Sequence, residues 1–116
     1  MTPLESFTRL AAVGVSVEGL RTTTVRTRQL FLLKCDWSAD FDIPLSDTHA
    51  TALLCNAVLE KWPHWMAYET DDGWWFVQVV SHRHPSLTAT VAQPGKSRLA
   101  ALTRAAEAKH KETPND

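Results

Sequence analysis

No apolar run in this chain approaches the roughly 20 residues a helix needs to cross a bilayer. The stretch Ala50 to Cys55 is among the most apolar and is far shorter, so a membrane-spanning protein is not expected. Cysteine is scarce too. Cys35 and Cys55 are the only two, too few and too irregularly placed for a disulfide framework, which points to reduced thiols and a cytoplasmic setting. Excess charge is also missing, with 12 Lys plus Arg against 13 Asp plus Glu and a formal net charge of -1. That balance supplies no overall field for nucleic acid and no carboxylate surplus for imitating DNA, so direct nucleic-acid binding is not expected. Between Met1 and Leu20, Glu5, Thr8 and Arg9 interrupt any continuous apolar segment. A signal peptide is not expected there.

Catalytic signatures are equally thin. No Gly-x-Ser-x-Gly elbow or Gly-x-Gly-x-x-Gly loop occurs, which removes textual support for a serine hydrolase or a dinucleotide site. Pro94-Gly95-Lys96-Ser97 has the end of a phosphate-binding loop, but Thr90 stands where the first glycine belongs; a helix-starting turn is the simpler reading. His82 and His84 alternate along one side of an extended segment, and His49, His64 or a cysteine would have to complete a metal site by tertiary proximity. A solvated strand exit explains them as well. His49-Ala50-Thr51 and His84-Pro85-Ser86 each fit the His-x-Ser/Thr pattern of two-histidine phosphoesterases, where paired imidazoles exchange protons. In those enzymes both tripeptides lie on strands, whereas His49 falls in the first turn of a predicted helix. Neither cysteine has a local signature for a nucleophile, so both read as packing residues. No catalytic residue, metal or cofactor is assigned.

What is present is enough apolar material for one core: 44% of 116 residues are hydrophobic, the scale of a single domain. Residues 1–111 are read as that domain and 112–116 as a disordered tail. Thr2, Pro3 and Glu5 form a capping box that opens a helix closed by Gly14, with Phe7, Leu10 and Ala11 on its core face. From Thr22 to Leu33 a β-branched run followed by Leu-Phe-Leu-Leu favours a strand, although Arg28 to Lys34 also suits a helix. Asp36 to Ser46, with Pro44 and three aspartates, reads as a connecting loop. Ser46 or Asp47 caps a helix reaching Lys61, in which Ala50, Leu53, Leu54, Ala57 and Val58 repeat at helical spacing, and Pro63 ends it. Trp65 to Thr70 and Trp74 to Ser81 flank Asp71-Asp72-Gly73, a β-hairpin signal. In its second strand Trp75, Val77 and Val79 face one way while Trp74, Phe76 and Val80 face the other. Both faces are apolar, so each is either covered or meets a partner. Leu87 to Val91 alternates as one more strand, and the last helix places Leu99, Leu102, Thr103 and Ala106 inward and Arg98, Arg104 and Lys109 outward, with Glu107 supporting Lys111.

The second half resembles the phage ABA sandwich domain, a family of small bacteriophage and prophage proteins. The likeness spans Asp40 to Ala108. It rests on Ser38-Ala39-Asp40-Phe41-Asp42, then Val58-Leu59-Glu60-Lys61, then Asp72-Gly73-Trp74-Trp75-Phe76-Val77, then Leu99-Ala100-Ala101-Leu102-Thr103-Arg104-Ala105-Ala106. Where family members start the final helix with threonine-proline, this chain has Gln93-Pro94-Gly95-Lys96-Ser97. The resemblance implies an α+β fold with a small antiparallel sheet packed between helices, a three-layer sandwich of helix, sheet and helix. It also implies a product acting in the cytoplasm of a bacterial host, and by analogy an inhibitor of a host defence complex such as an anti-CRISPR protein.

The expected function is therefore inhibition of a bacterial host protein or complex by protein–protein contact. The alternatives are a small phosphodiesterase or nucleic-acid binder using His82, Arg83 and His84 or the basic face of the last helix, or a phage assembly protein that pairs with its own copies through the two-sided sheet. Five tryptophans supply anchors, of which Trp37 and Trp65 are the expected surface pair, Trp75 leans toward packing and Trp74 suits packing and contact equally. Asp36, Asp40, Asp42 and Asp47, preceded by Arg21, Arg26, Arg28 and Lys34, combine with Asp71 and Asp72 as a candidate acidic patch. The expected contact residues are Trp37, Asp40, Phe41, Asp42, Trp65, Asp71 and Asp72.

Overall fold

Thr2 opens the first helix as expected: its side chain accepts a hydrogen bond from the Glu5 amide at 3.2 Å, ahead of α1 (Pro3–Ala12). The structure is a computed structural model that describes residues 1–34, 42–80, 88–90 and 95–112. Helix α1 buries Ser6, Leu10 and then Val13 just beyond its end, an i, i+4, i+7 line. Phe7 packs against that core, whereas Ala11, expected inside, is exposed because it lies off the line.

The ambiguous segment after it is a hairpin. Strand β1 (Leu20–Val25) pairs antiparallel with β2 (Arg28–Lys34), leaving a two-residue turn in which Arg26 takes φ 58. This left-handed conformation costs a side-chain-bearing residue roughly 1 kcal/mol. No Asn-Gly or Asp-Gly pair marks the turn, which is why the segment does not read as a hairpin from its residues. Strand β3 (Asp42–Leu45) then joins β2 on its other side, so the second part of the loop expected across Asp36 to Ser46 is a strand; Asp36 to Phe41 lie outside the described residues. Pro44 is tolerated because β3 is an edge strand, where a missing N–H need not break a ladder.

Ser46 caps α2 (Asp47–Lys61) by accepting from the His49 amide at 3.3 Å, and the helix buries Ala50, Leu54, Cys55 and Val58. Strands β4 (Trp65–Glu69), β5 (Trp75–Val80) and β6 (Thr88–Thr90) form a second antiparallel sheet in that order. Helix α3 (Arg98–Glu112) closes the described chain; Ser97 caps it, accepting from the Ala100 amide at 3.1 Å. Glu112, expected in a disordered tail, is thus helical.

The fold is α+β. Among the described residues the strands are divided between two three-stranded sheets rather than gathered into the one sheet expected. Helix α3 touches α1, α2, β4 and β5, and it fits among them because its inward face is short: Ala100, Ala101, Ala105 and Ala106 are buried beside Leu99 and Leu102. Thr103 is buried too, and its hydroxyl is satisfied by donating to the Leu99 carbonyl at 2.7 Å. One apolar cluster joins Phe31 of the first sheet, all three helices and Trp65 and Val77 of the second. Glu107, expected to support Lys111 within α3, instead pairs with Arg9 and so ties α3 to α1, with Arg9 Nε 3.0 Å from Glu107 Oε2. Among the described residues no helix is long and apolar enough to cross a membrane.

Candidate functional site

Strand parity decides which hairpin residues are available for contact. Register pairs Trp65 with Val79, Ala67 with Val77 and Glu69 with Trp75 on the face toward α3, and Met66 with Gln78 and Tyr68 with Phe76 on the opposite face. Trp65 is therefore a core residue: it is 5% exposed and its ring stacks on Trp62 with centroids 4.3 Å apart. This corrects its expected role as a surface anchor. The residue beside it is the exposed one, since Met66 is 48% accessible.

On that outer face the rings of Tyr68 and Phe76 stack with centroids 5.8 Å apart, and both residues are half-buried. Trp74, at the start of the same surface, carries the Lys96 ammonium 3.9 Å from its ring centroid, a cation–π contact. The contact ties the turn before α3 to the start of β5. Met66, Tyr68 and Phe76 were not singled out from the sequence as contacts; the alternation showed two apolar faces but not which one α3 covers.

At the hairpin tip Asp71 and Asp72 are both exposed, as expected. The Thr70 amide donates to the Trp74 carbonyl at 2.8 Å and the Gly73 amide to the Thr70 carbonyl at 3.0 Å, which fixes the turn. The Thr70 hydroxyl donates to the Asp72 carboxylate. That bond, chiefly, holds the Asp72 carboxyl below its ordinary range; backbone amides and the Lys96 charge act in the same direction. A carboxyl depressed in the folded state adds stability above the unfolded value of about 3.9, and this is lost as pH falls through the folded value. Thr70→Val is expected to move the Asp72 carboxyl back up toward the ordinary carboxylate range, read by NMR titration; an unchanged titration would mean the hydroxyl is not the cause.

The other expected contacts separate. Asp42 lies in β3 and forms an ion pair with Arg21 of β1, so its charge is locally compensated and sits on a different sheet from Asp71 and Asp72. Trp37, Asp40 and Phe41 lie outside the described residues, as do Asp36, Cys35, His82, Arg83 and His84. His49 is exposed in the first turn of α2, with Nδ1 3.2 Å from the Ser46 hydroxyl. Among the described residues no group of three or more His, Cys, Asp or Glu side chains is placed to hold a metal. Cys55 is buried, and burial pushes its thiol up, away from the thiolate a nucleophile needs.

Comparison with family models, with curated proteins and with solved structures gives no match. The arrangement itself offers a sheet face of one exposed methionine, two stacked rings and a tryptophan, bordered by two carboxylates. Aromatic residues and methionine are enriched in the cores of protein–protein interfaces.

Proposed function

We propose that this protein works by protein–protein contact through the outer face of the second sheet, with Met66, Tyr68, Phe76 and Trp74 as the apolar centre and Asp71 and Asp72 as the polar rim. The observation that carries this reading is Met66, 48% exposed beside the Tyr68–Phe76 stack on a face that α3 leaves uncovered. Met is adaptable in shape and the rings bring large contact area. Catalysis is not required.

The resemblance to the phage ABA sandwich family extends the proposal to a partner in the bacterial cytoplasm, a host defence complex that the protein inhibits in the manner of an anti-CRISPR. A bacterium carrying an active defence system, expressing this chain and challenged with a targeted phage, tests it. Wild-type protein is expected to restore infection, and Met66→Asp with Phe76→Ala is expected to abolish that effect while far-UV circular dichroism stays unchanged. Equal restoration of infection by the double variant would remove this face from the mechanism; no restored infection by the wild type against any defence system tried would remove the inhibitor reading.

A further inference from the structure

The near-neutral composition conceals a segregated charge. From Gly19 to Lys34 the chain carries Arg21, Arg26, Arg28 and Lys34 and no carboxylate. Arg21 is paired with Asp42. Arg26 and Arg28 are exposed, and among the described residues neither has a carboxylate partner.

The fold concentrates these two cations at the end of a ribbon. Every residue from Thr24 to Gln29 is exposed on both faces of the β1–β2 hairpin, with Val25 52% accessible, so the tip stands clear of the core that Leu20 and Phe31 enter. Apart from Val25, the side chains there are those of Arg26, Arg28, Thr24, Thr27 and Gln29, all able to donate hydrogen bonds. Arg26 occupies its turn at φ 58, a conformation that residues other than Gly, Asn and Asp seldom adopt. Strain of that kind in an exposed turn directs attention to what the side chain does there.

We infer that the β1–β2 hairpin tip binds the phosphate backbone of duplex DNA through Arg26 and Arg28. Phosphate is an acceptor-only anion and the tip is a donor-rich cation. A two-stranded ribbon has the width to enter a major groove about 12 Å across, where Thr and Gln make further backbone contacts. Val25 is the one apolar side chain from Thr24 to Gln29, and no aromatic residue stands beside it to form a protein interface centre or a membrane anchor. This surface is separate from the outer face of the second sheet.

Fluorescence anisotropy of a labelled duplex of about 20 base pairs with the full chain tests the assignment. Binding is expected at low salt, with the logarithm of affinity falling against the logarithm of salt at a slope of about -2, since each guanidinium contact displaces about 0.9 counterion. Arg26→Ala with Arg28→Ala is expected to weaken binding about tenfold or more and to flatten the slope, while the paired lysine substitutions retain it. Arg26→Gly is expected to raise the melting temperature by relieving the backbone and still weaken binding about threefold, a split that a purely structural role for Arg26 does not produce. Met66→Asp leaves DNA binding unchanged if the two surfaces are independent. Absence of salt-sensitive binding, full binding by the double alanine variant, or arginine-dependent binding to polyglutamate or phosphatidylserine vesicles as tight as to DNA would each overturn the inference.

Discussion

Phe31→Ala is expected to destabilise the protein by about 3–5 kcal/mol in urea or guanidinium unfolding. Phe31 is 1% exposed and heads the fully buried side chains by size. It projects from the middle of β2 and meets Phe7 of α1 edge to face, with ring centroids 5.8 Å apart and planes at 82°. Removing the ring empties space that Leu20 and Leu45 cannot fill without moving β1 and β3, and it forfeits the aromatic contact, worth about 0.5–1.5 kcal/mol by itself. Against a total stability of about 5–15 kcal/mol for a domain, such a loss leaves little margin. Phe31→Leu, which keeps most of the volume, is expected to cost roughly 1–1.5 kcal/mol. A loss below about 1 kcal/mol for the alanine variant would show that the first sheet is not anchored by this ring.

Gly95→Ala carries the second large effect, expected at about 2–3 kcal/mol in the same measurement. A Cβ on Gly95 would lie 2.7 Å from the Ala101 amide nitrogen and 3.0 Å from the Ala100 Cβ. The backbone has no room to retreat, because the Trp75 amide donates to the Gly95 carbonyl at 2.8 Å and the Gly95 amide to the Trp75 carbonyl at 3.0 Å. Residue 95 is thus held to β5 on one side and pressed against α3 on the other. Gly73 separates this steric cause from a conformational one: at φ 84, with nothing within 4 Å of a built Cβ, Gly73→Ala meets backbone strain alone and is expected to cost about 1 kcal/mol. Equal costs at the two glycines would refute the close approach of α3.

Elements whose signals are local were legible. Ser46 and the spacing of Ala50, Leu54 and Val58 specify α2, because a cap and a 3.6-residue repeat act within the segment itself. Asp71-Asp72-Gly73 between two apolar runs specifies the β4–β5 hairpin for the same reason. The β1–β2 hairpin was not legible: Thr22-Thr23-Thr24-Val25 and Leu30-Phe31-Leu32-Leu33 suit a strand, but the Arg26-Thr27 turn uses a positive φ that no glycine or asparagine announces. Pro44 pointed to a loop, and only the edge position of β3 makes it compatible with a sheet.

The candidate contacts divide in a similar way. Trp65 was the expected surface anchor, and Met66 beside it was not singled out. Helix α3 covers the face holding Trp65 and leaves Met66 open. The aspartates read as one acidic series along the chain, but Asp42 is compensated by Arg21 while Asp71 and Asp72 stand on the other sheet.

The sequence by itself determined the α+β class, the caps of the first two helices and the alternating faces of the second hairpin's second strand, since each depends on interactions within a few residues. Only the tertiary structure decided that the strands form two sheets, that Trp65 is core and Met66 is not, and that Gly95 must lack a side chain. Those outcomes depend on which distant element arrives against a given face, and a periodic pattern says that a face is apolar without naming what will cover it.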